Sequence, residues 1–274
     1  MPELPEVEVV RSFLESRILG KKILKINVIS KKLRYEVPSN LNSKFSNAII
    51  TKILRRGKYL ILLFNTPFSC LLVHLGMTGY FRMTTKLDPK KHDHIIFFSK
   101  KQFLIYNDIR KFGFFKIYNN NDLTISSHLK RMGVEPLSQD LNEKYFKLRS
   151  QRNIDVKSLL MDQSFISGLG NIYCSEILFE AKVNPLRNSL TLNKKEIKEI
   201  IRSIKKILKK AISFGGTTIK NFIVSEEKIG YFKNELKVYS RENKICLRCS
   251  NEKYIIKKTK QKGRSTFFCK KCQK

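Results

Sequence analysis

The chain has 274 residues, 42% of them hydrophobic, and its 55 lysines and arginines against 23 aspartates and glutamates give a formal net charge of +32. That length allows a sizeable core and about two domains, and a field of this sign favours polyanions, nucleic acid first and an anionic membrane surface second, although part of a lysine-rich charge can also be plain solvated surface. No run of about 18 apolar residues is present to span a bilayer, and the start lacks the basic-then-apolar layout of a secretion signal, so a cytoplasmic, nucleoid-associated protein without membrane contact is expected.

The chain opens Met1-Pro2-Glu3-Leu4-Pro5-Glu6-Val7-Glu8. Pro5 suits the first turn of a helix, where its missing N–H costs nothing, and Glu6 and Glu8 suit the positive end of the helix dipole. Val7, Val10, Leu14 and Ile18 recur at helical spacing and predict one buried face, with Gly20 as the stop. Short strand patterns follow over residues 23–30, 49–54, 59–64, 71–75, 80–83, 95–98, 103–106 and 114–118, with residues 99–102 as a hairpin turn; such a series reads as a β-sandwich or barrel. The polar run 119–122 is a linker candidate. Helical patterns occupy 141–149, 156–161 and 171–181. The clearest spans 194–214, with isoleucines on one face, lysines on the other and Gly215-Gly216 at its end. Residues 217–244 read as loop with short strands. Two last strands are expected at 254–256 and 266–268, around a turn near Lys262-Gly263.

Six cysteines are present. Cys70 and Cys174 stand alone in apolar surroundings and read as buried thiols. Cys246-x2-Cys249 and Cys269-x2-Cys272 are paired knuckles, each aiming two thiolates at one point, a strong pattern for tetrahedral Zn2+.

Three further groups carry candidate chemistry. Removal of Met1 would leave Pro2 with a secondary amine, partly unprotonated at neutral pH and able to attack an electrophilic carbon, with Glu3 beside it to move a proton. Read alone, the same residues also make an ordinary helix entrance. Gly168-Leu169-Gly170-Asn171 lacks the preceding strand and third glycine of a dinucleotide site; it suits a tight turn between helices, with Asn171 capping the next helix and the turn N–H groups able to hold a phosphate. Arg110 and Phe112, two residues apart on a turn, are suited to reading base edges and wedging between bases, and Met77 is a third probe; core packing or surface charge are the bland alternatives. Lys58, His74, His92 and Arg264 are candidate phosphate contacts.

Taken together, these pieces resemble formamidopyrimidine-DNA glycosylase, the bacterial base-excision enzyme family for oxidised purines. The resemblance runs from Met1-Pro2-Glu3-Leu4-Pro5-Glu6 through Lys58-Tyr59-Leu60, His74-Leu75-Gly76-Met77, Lys91-His92-Asp93-His94, Arg110-Lys111-Phe112-Gly113, Gly168-Leu169-Gly170-Asn171-Ile172-Tyr173 and Gly215-Gly216-Thr217-Thr218 to the terminal cysteines. It implies a multidomain α+β fold: an N-terminal helix with a β-sandwich (1–120), a helix–two-turn–helix domain (121–236) and a C-terminal zinc finger (237–274). DNA is expected between the lobes, with the damaged nucleotide flipped out of the stack. By resemblance, Pro2 attacks C1′ of the lesion sugar, Glu3 protonates the sugar ring oxygen, Glu6 orders the site, and β- then δ-elimination cuts the strand. Met77, Arg110 and Phe112 would fill the vacated space, Arg110 facing the orphaned cytosine. Lys58, His74, Asn171, Tyr239 and Arg264 match phosphate-binding positions, with Lys58 and Arg264 grouped with the catalytic residues. His92 joins the DNA contacts, Lys157 lies near the lesion pocket, and residues 217–232 form the loop over the extruded base. One structural zinc on four cysteines, oxidised-purine duplex DNA as partner and a monomeric state are expected.

Three positions depart from the family pattern. The interval between Cys249 and Cys269 holds 19 residues, longer than usual, and Ser250 replaces a glycine; both bear on where Arg264 sits. Ile109 stands where proline is common. The nearest rival, the endonuclease VIII branch for oxidised pyrimidines, typically begins Pro-Glu-Gly-Pro-Glu, and Leu4 favours the purine branch. A non-catalytic zinc-ribbon DNA-binding protein would share the charge and the cysteines.

Overall fold

The computed structural model describes residues 2–66, 70–119, 122, 126–217 and 231–274. The expected loop over residues 217–232 and the linker at 119–122 therefore fall largely outside the described residues.

The apolar repeat of the opening segment forms helix α1 (Leu4–Ile18), which buries Leu4, Val7, Val10, Leu14 and Ile18. Burying each such side chain contributes roughly 1.5–3 kcal/mol. Gly20, at φ +73°, then turns the chain toward β1 (Lys25–Val28). A short helix, α2 (Leu41–Phe45), went unseen in the sequence because five residues cannot display a helical period.

Seven more strands complete the N-terminal part: β2 (Ile50–Arg56), β3 (Tyr59–Phe64), β4 (Cys70–His74), β5 (Tyr80–Thr84), β6 (Asp93–Ser99), β7 (Gln102–Asn107) and β8 (Phe114–Tyr118). They make two antiparallel sheets, ordered β2-β3-β4-β8 and β1-β6-β7-β5. One core holds them face to face. Leu60, Leu62, Leu71 and Val73 from the first sheet cluster with Ile95, Phe97, Leu104 and Tyr106 from the second and with the inner face of α1. This is the expected sandwich. β4 and β5 flank Gly76-Met77-Thr78-Gly79 but belong to different sheets, so that turn is a crossover at the sandwich edge.

The helical part comprises α3 (Glu143–Arg149), α4 (Val156–Met161), α5 (Asn171–Glu180) and α6 (Lys194–Ser213), close to the expected spans. Its core gathers Phe146, Leu159, Leu160, Tyr173, Ile177, Ile200, Ile204 and Leu208. Asn142 and Asp155 cap α3 and α4, each accepting a backbone N–H three residues on. The C-terminal hairpin pairs β9 (Lys257–Gln261) with β10 (Arg264–Phe268). The first ribbon strand is thus not 254–256, where Ile255 makes only an isolated bridge to Ile245. The sequence Lys-Lys-Thr-Lys-Gln gave no apolar alternation because none of its side chains is buried.

Two compact units result: Met1–Lys130 with Phe214–Tyr231, and Arg131–Ser213 with Phe232–Lys274. Among the described residues no helix is long and apolar enough to cross a membrane.

Candidate active site and nucleic-acid interface

In the first unit, the chain start is held by its own helix. Pro2 is buried, and Glu3, 3% exposed, is the N-cap of α1. Glu3 and Glu6 form a capping box, in which the Glu3 N–H donates to Glu6 Oε2 at 2.8 Å. The other oxygen, Glu6 Oε1, accepts the Thr217 N–H (2.8 Å) and hydroxyl (2.9 Å). A carboxylate with 1% exposure is thus satisfied by donors from two distant segments. Gly216 makes this approach possible: its φ is +79°, and a Cβ there would lie 2.9 Å from Glu6 Oε1.

Lys58 sits at the β2–β3 turn beside Gly57 (φ +54°) and is largely buried. The turn is braced by Arg55, whose Nε pairs with Glu8 (2.7 Å) and whose Nη1 donates to the Gly57 carbonyl (3.0 Å). His74 ends β4. Its ring stacks on Phe114 (centroids 5.4 Å apart) and lies 5.0 Å from Tyr59. Burial, with the charges of Lys58, Arg34 and His128 adding to it, pushes His74 down to about 4. Gly76 N–H donates to its Nδ1 at 3.1 Å, which leaves the proton of the neutral ring on Nε2.

The loop bearing Arg110 and Phe112 is knotted around Asp108, which is fully buried. Asp108 Oδ1 accepts the Thr78 hydroxyl (2.5 Å) and the Arg110 N–H (3.3 Å); Oδ2 accepts the Gly113 N–H (2.8 Å) and the Tyr106 hydroxyl (3.3 Å). Its carbonyl meets His94 Nε2 at 2.8 Å, and its N–H donates to the carbonyl of His92, a half-exposed residue at φ +73°. The crossover and this loop touch backbone to backbone, since a Cβ on Gly76 would lie 2.3 Å from the Phe112 carbonyl carbon, and Gly113 leaves room for the Tyr106 side chain, whose hydroxyl would lie 1.7 Å from a Cβ there. Arg110 and Phe112 project from the knot, 42% of Phe112 exposed, with the guanidinium 4.7 Å from the Phe112 ring. Met77 is half-buried on the neighbouring turn.

In the second unit, the turn between α4 and α5 is closed by Gln163. Its Oε1 accepts the Gly168 N–H and its Nε2 donates to the Leu169 carbonyl, both at 2.8 Å. Asn171 is not the cap expected from the sequence. Gly170 occupies the N-cap in extended backbone, and Asn171 is the first helical residue. Its Nδ2 instead donates to the Ser265 carbonyl on β10 at 3.0 Å. Lys157, 1% exposed, reaches the same carbonyl (3.0 Å) and the Thr266 hydroxyl (2.7 Å). Arg264 is exposed at the hairpin end, in a groove shared with Lys157 and Met161. Half-buried Tyr239 packs on Phe267 (5.2 Å), and its N–H donates to Glu176 Oε1 at 2.8 Å. Glu176 also accepts the N–H groups of Lys237 (2.8 Å) and Val238 (3.0 Å). Burial still raises its carboxyl, outweighing these three donors.

Cys246, Cys249, Cys269 and Cys272 bring their Sγ atoms within 4.8 Å of one another, with Cys246–Cys272 and Cys249–Cys269 each at 3.8 Å. A tetrahedron with metal–sulfur bonds of about 2.3 Å has edges of about 3.8 Å. The four thiols can therefore hold one metal ion with no open coordination position.

Residues 1–115 match the family model of the formamidopyrimidine-DNA glycosylase N-terminal domain, and residues 132–223 match that of its H2TH domain. The formamidopyrimidine-DNA glycosylase of Rickettsia bellii is 43% identical over 278 residues, covering 100% of both chains. That of Rickettsia felis is 44% identical, covering 100% of this chain and 98% of the relative. The chain belongs to the formamidopyrimidine-DNA glycosylase family. Solved structures of the Lactococcus lactis enzyme are similar throughout. Its complex with abasic-site DNA has a TM-score of 0.90 at 35% identity over 99% of each chain. The wild-type enzyme with N7-benzyl-Fapy-dG DNA reaches 0.91 at 36% over 100% of each.

Within this glycosylase fold, Asp108, Gln163 and Glu176 are the organising polar residues that the sequence reading missed. Each holds a loop bearing a candidate contact. Their sequence signal is faint: a buried acid or amide is recognisable only when its partners are known.

Proposed function

We propose that this member of a DNA glycosylase family is a bifunctional glycosylase and abasic-site lyase of base-excision repair, removing oxidised purines from duplex DNA, preferentially opposite cytosine, as a monomer. The observation that carries it is the buried Pro2-Glu3 start, fixed by the Glu3–Glu6 capping box and tied through Glu6 to Thr217. Chain termini are ordinarily loose, and a buried, capped start supports the reading of Pro2 as a positioned nucleophile.

With Met1 removed, the Pro2 nitrogen forms a bond to C1′ as the C1′–N9 bond breaks and the base departs with a proton. Glu3 delivers a proton to the ring oxygen, so the sugar opens to an iminium on Pro2. The iminium acidifies C2′; loss of that proton expels the 3′ phosphate, and a second elimination expels the 5′ phosphate. Glu6, accepting from Glu3 N–H and from the Thr217 N–H and hydroxyl, holds Glu3 in place. Lys58, His74, His92, Asn171, Tyr239 and Arg264 bind phosphates; Met77, Arg110 and Phe112 occupy the vacated stack, and Lys157 supports β10 behind Arg264. The metal is one structural zinc, and the chain divides functionally at 1–120, 121–236 and 237–274.

Borohydride trapping on an 8-oxoguanine·cytosine duplex with peptide mapping tests the reading. An adduct on Pro2 is expected. No adduct from protein with a verified Pro2 terminus and intact binding would reject it. Faster cleavage of a thymine-glycol duplex would move the protein to the pyrimidine branch.

A further inference from the structure

Eight of the 20 residues of α6 are lysine or arginine and two are glutamate. At about 100° per residue, Lys194, Lys198, Lys205 and Lys209 fall within a wedge of about 60°, and Arg202 and Lys195 widen it to about 100°. The buried Ile197, Ile200, Ile201, Ile204, Leu208 and Ala211 fill the neighbouring arc, so the lysines form one flank of the helix, with Ile201 about 20° from Lys194. Most acids nearby are otherwise engaged, Glu196 with Arg187 (2.5 Å), Glu199 with Arg202 (3.3 Å), Glu180 with Lys206, and Glu235 with Lys210 (2.5 Å), while Glu143 lines a groove with Lys198 and Lys205. Among the described residues no carboxylate pairs with Lys194, Lys198, Lys205 or Lys209. Lys194, Lys198 and Lys209 are exposed and Lys205 half-exposed.

α5 packs against both α6 and β10, and α3 also packs against α6. The lysine flank borders α3, where Lys198 and Lys205 line a groove with Asn142 and Glu143, whereas Lys157 and Arg264 line a different groove. Along that face the cations follow one another every three or four residues, about 4.5–6 Å apart over some 22 Å, a line suited to one strand of a duplex, which presents a phosphate about every 3.4 Å of axis. The face offers no exposed aromatic or aliphatic anchor, and lysine is depleted at protein–protein interfaces, so its chemistry fits a phosphate backbone better than an acidic protein.

We propose that the lysine flank of α6 is a second, sequence-independent DNA-binding surface, which grips an undamaged duplex segment while the proposed lesion site holds another. The protein then bridges two stretches of DNA and can pass between them.

The test compares the parent with a fourfold variant, K194Q/K198Q/K205Q/K209Q, and its K→R counterpart. Glutamine keeps the helix propensity and removes the charge. Binding of an undamaged duplex is measured against salt. The glutamine variant is expected to lose 3 to 4 from the log–log slope, at about 0.9 per phosphate contact, and the arginine variant to match the parent. Parent protein held on an immobilised lesion duplex is expected to capture a labelled undamaged duplex, and the glutamine variant is not. Excision on a short lesion duplex stays unchanged in all three. An unchanged slope with retained capture overturns the proposal, as does a fall in excision parallel to the fall in binding, which would place the face within the lesion site. A parent without any excision would reject the glycosylase reading, and the slope comparison on undamaged DNA would still decide this one.

Discussion

His74 carries no charge at neutral pH, because burial and the cations around it hold its proton affinity down to about 4. In the proposed phosphate contact a neutral His74 would donate its Nε2–H and release no counterion, whereas Lys58 would bring a charge. His74→Gln should therefore weaken DNA binding without changing its salt dependence, and Lys58→Gln should lower the slope by about 0.9; equal slopes for Lys58→Gln and the parent would count against that contact. The same residue sets a pH dependence. The folded value lies below the ordinary 6.5, so the unfolded chain binds the proton more readily. His74's contribution is complete above about pH 6.5 and is lost as pH falls toward 4, by up to about 3 kcal/mol. In urea titrations at pH 7 and pH 4.5, His74→Gln should lose less stability on acidification than the parent. Asp108→Asn tests the knot beneath Arg110. An amide keeps one acceptor oxygen where the carboxylate uses two, at an expected cost of about 2–3 kcal/mol, with faster amide exchange at residues 109–113. A change below about 0.5 kcal/mol would show that the loop does not depend on Asp108.

At the scale of elements, the stripe of α1, the run of sandwich strands and α6 were legible because each buries one face, and burial writes itself into the sequence as a period. β9 escaped because it buries nothing, and α2 because it is too short. The candidate site residues divide in the same way. The four cysteines stood out through local spacing and the candidate pair Pro2 and Glu3 through family resemblance, whereas Asp108 and Glu176 accept backbone N–H groups from segments that only the fold brings near. Gly216 belongs with the latter, since its need to be glycine comes from Glu6. Gly216→Ala adds strain of about 1–2 kcal/mol at φ +79° and crowds Glu6 Oε1. About tenfold less borohydride-trapped adduct is expected, with abasic-site DNA binding retained. Unimpaired trapping would detach Glu6 and Thr217 from the chemistry.

For the whole molecule, separate cores imply separable stabilities. The sandwich core shares no member with the ribbon core of Phe179, Val238, Ile256 and Phe267 around the cysteines. Four thiolates without their ion repel one another, so stripping the proposed zinc should unfold the ribbon and leave the sandwich intact. In hydrogen exchange after chelation, the amides of β9 and β10 should lose protection while those of β2–β4 and β6–β7 keep theirs. Concurrent loss in both would mean that the two units fold as one.

The carbonyl of Ser265, held from two directions by Lys157 and Asn171, acts as a surveyor's benchmark for the hairpin. Arg264 is its immediate neighbour and inherits that fixed height. Chain added between Cys249 and β9 has to bulge outward ahead of the benchmark. The long interval between the cysteine pairs can then be accommodated ahead of the benchmark without moving Arg264.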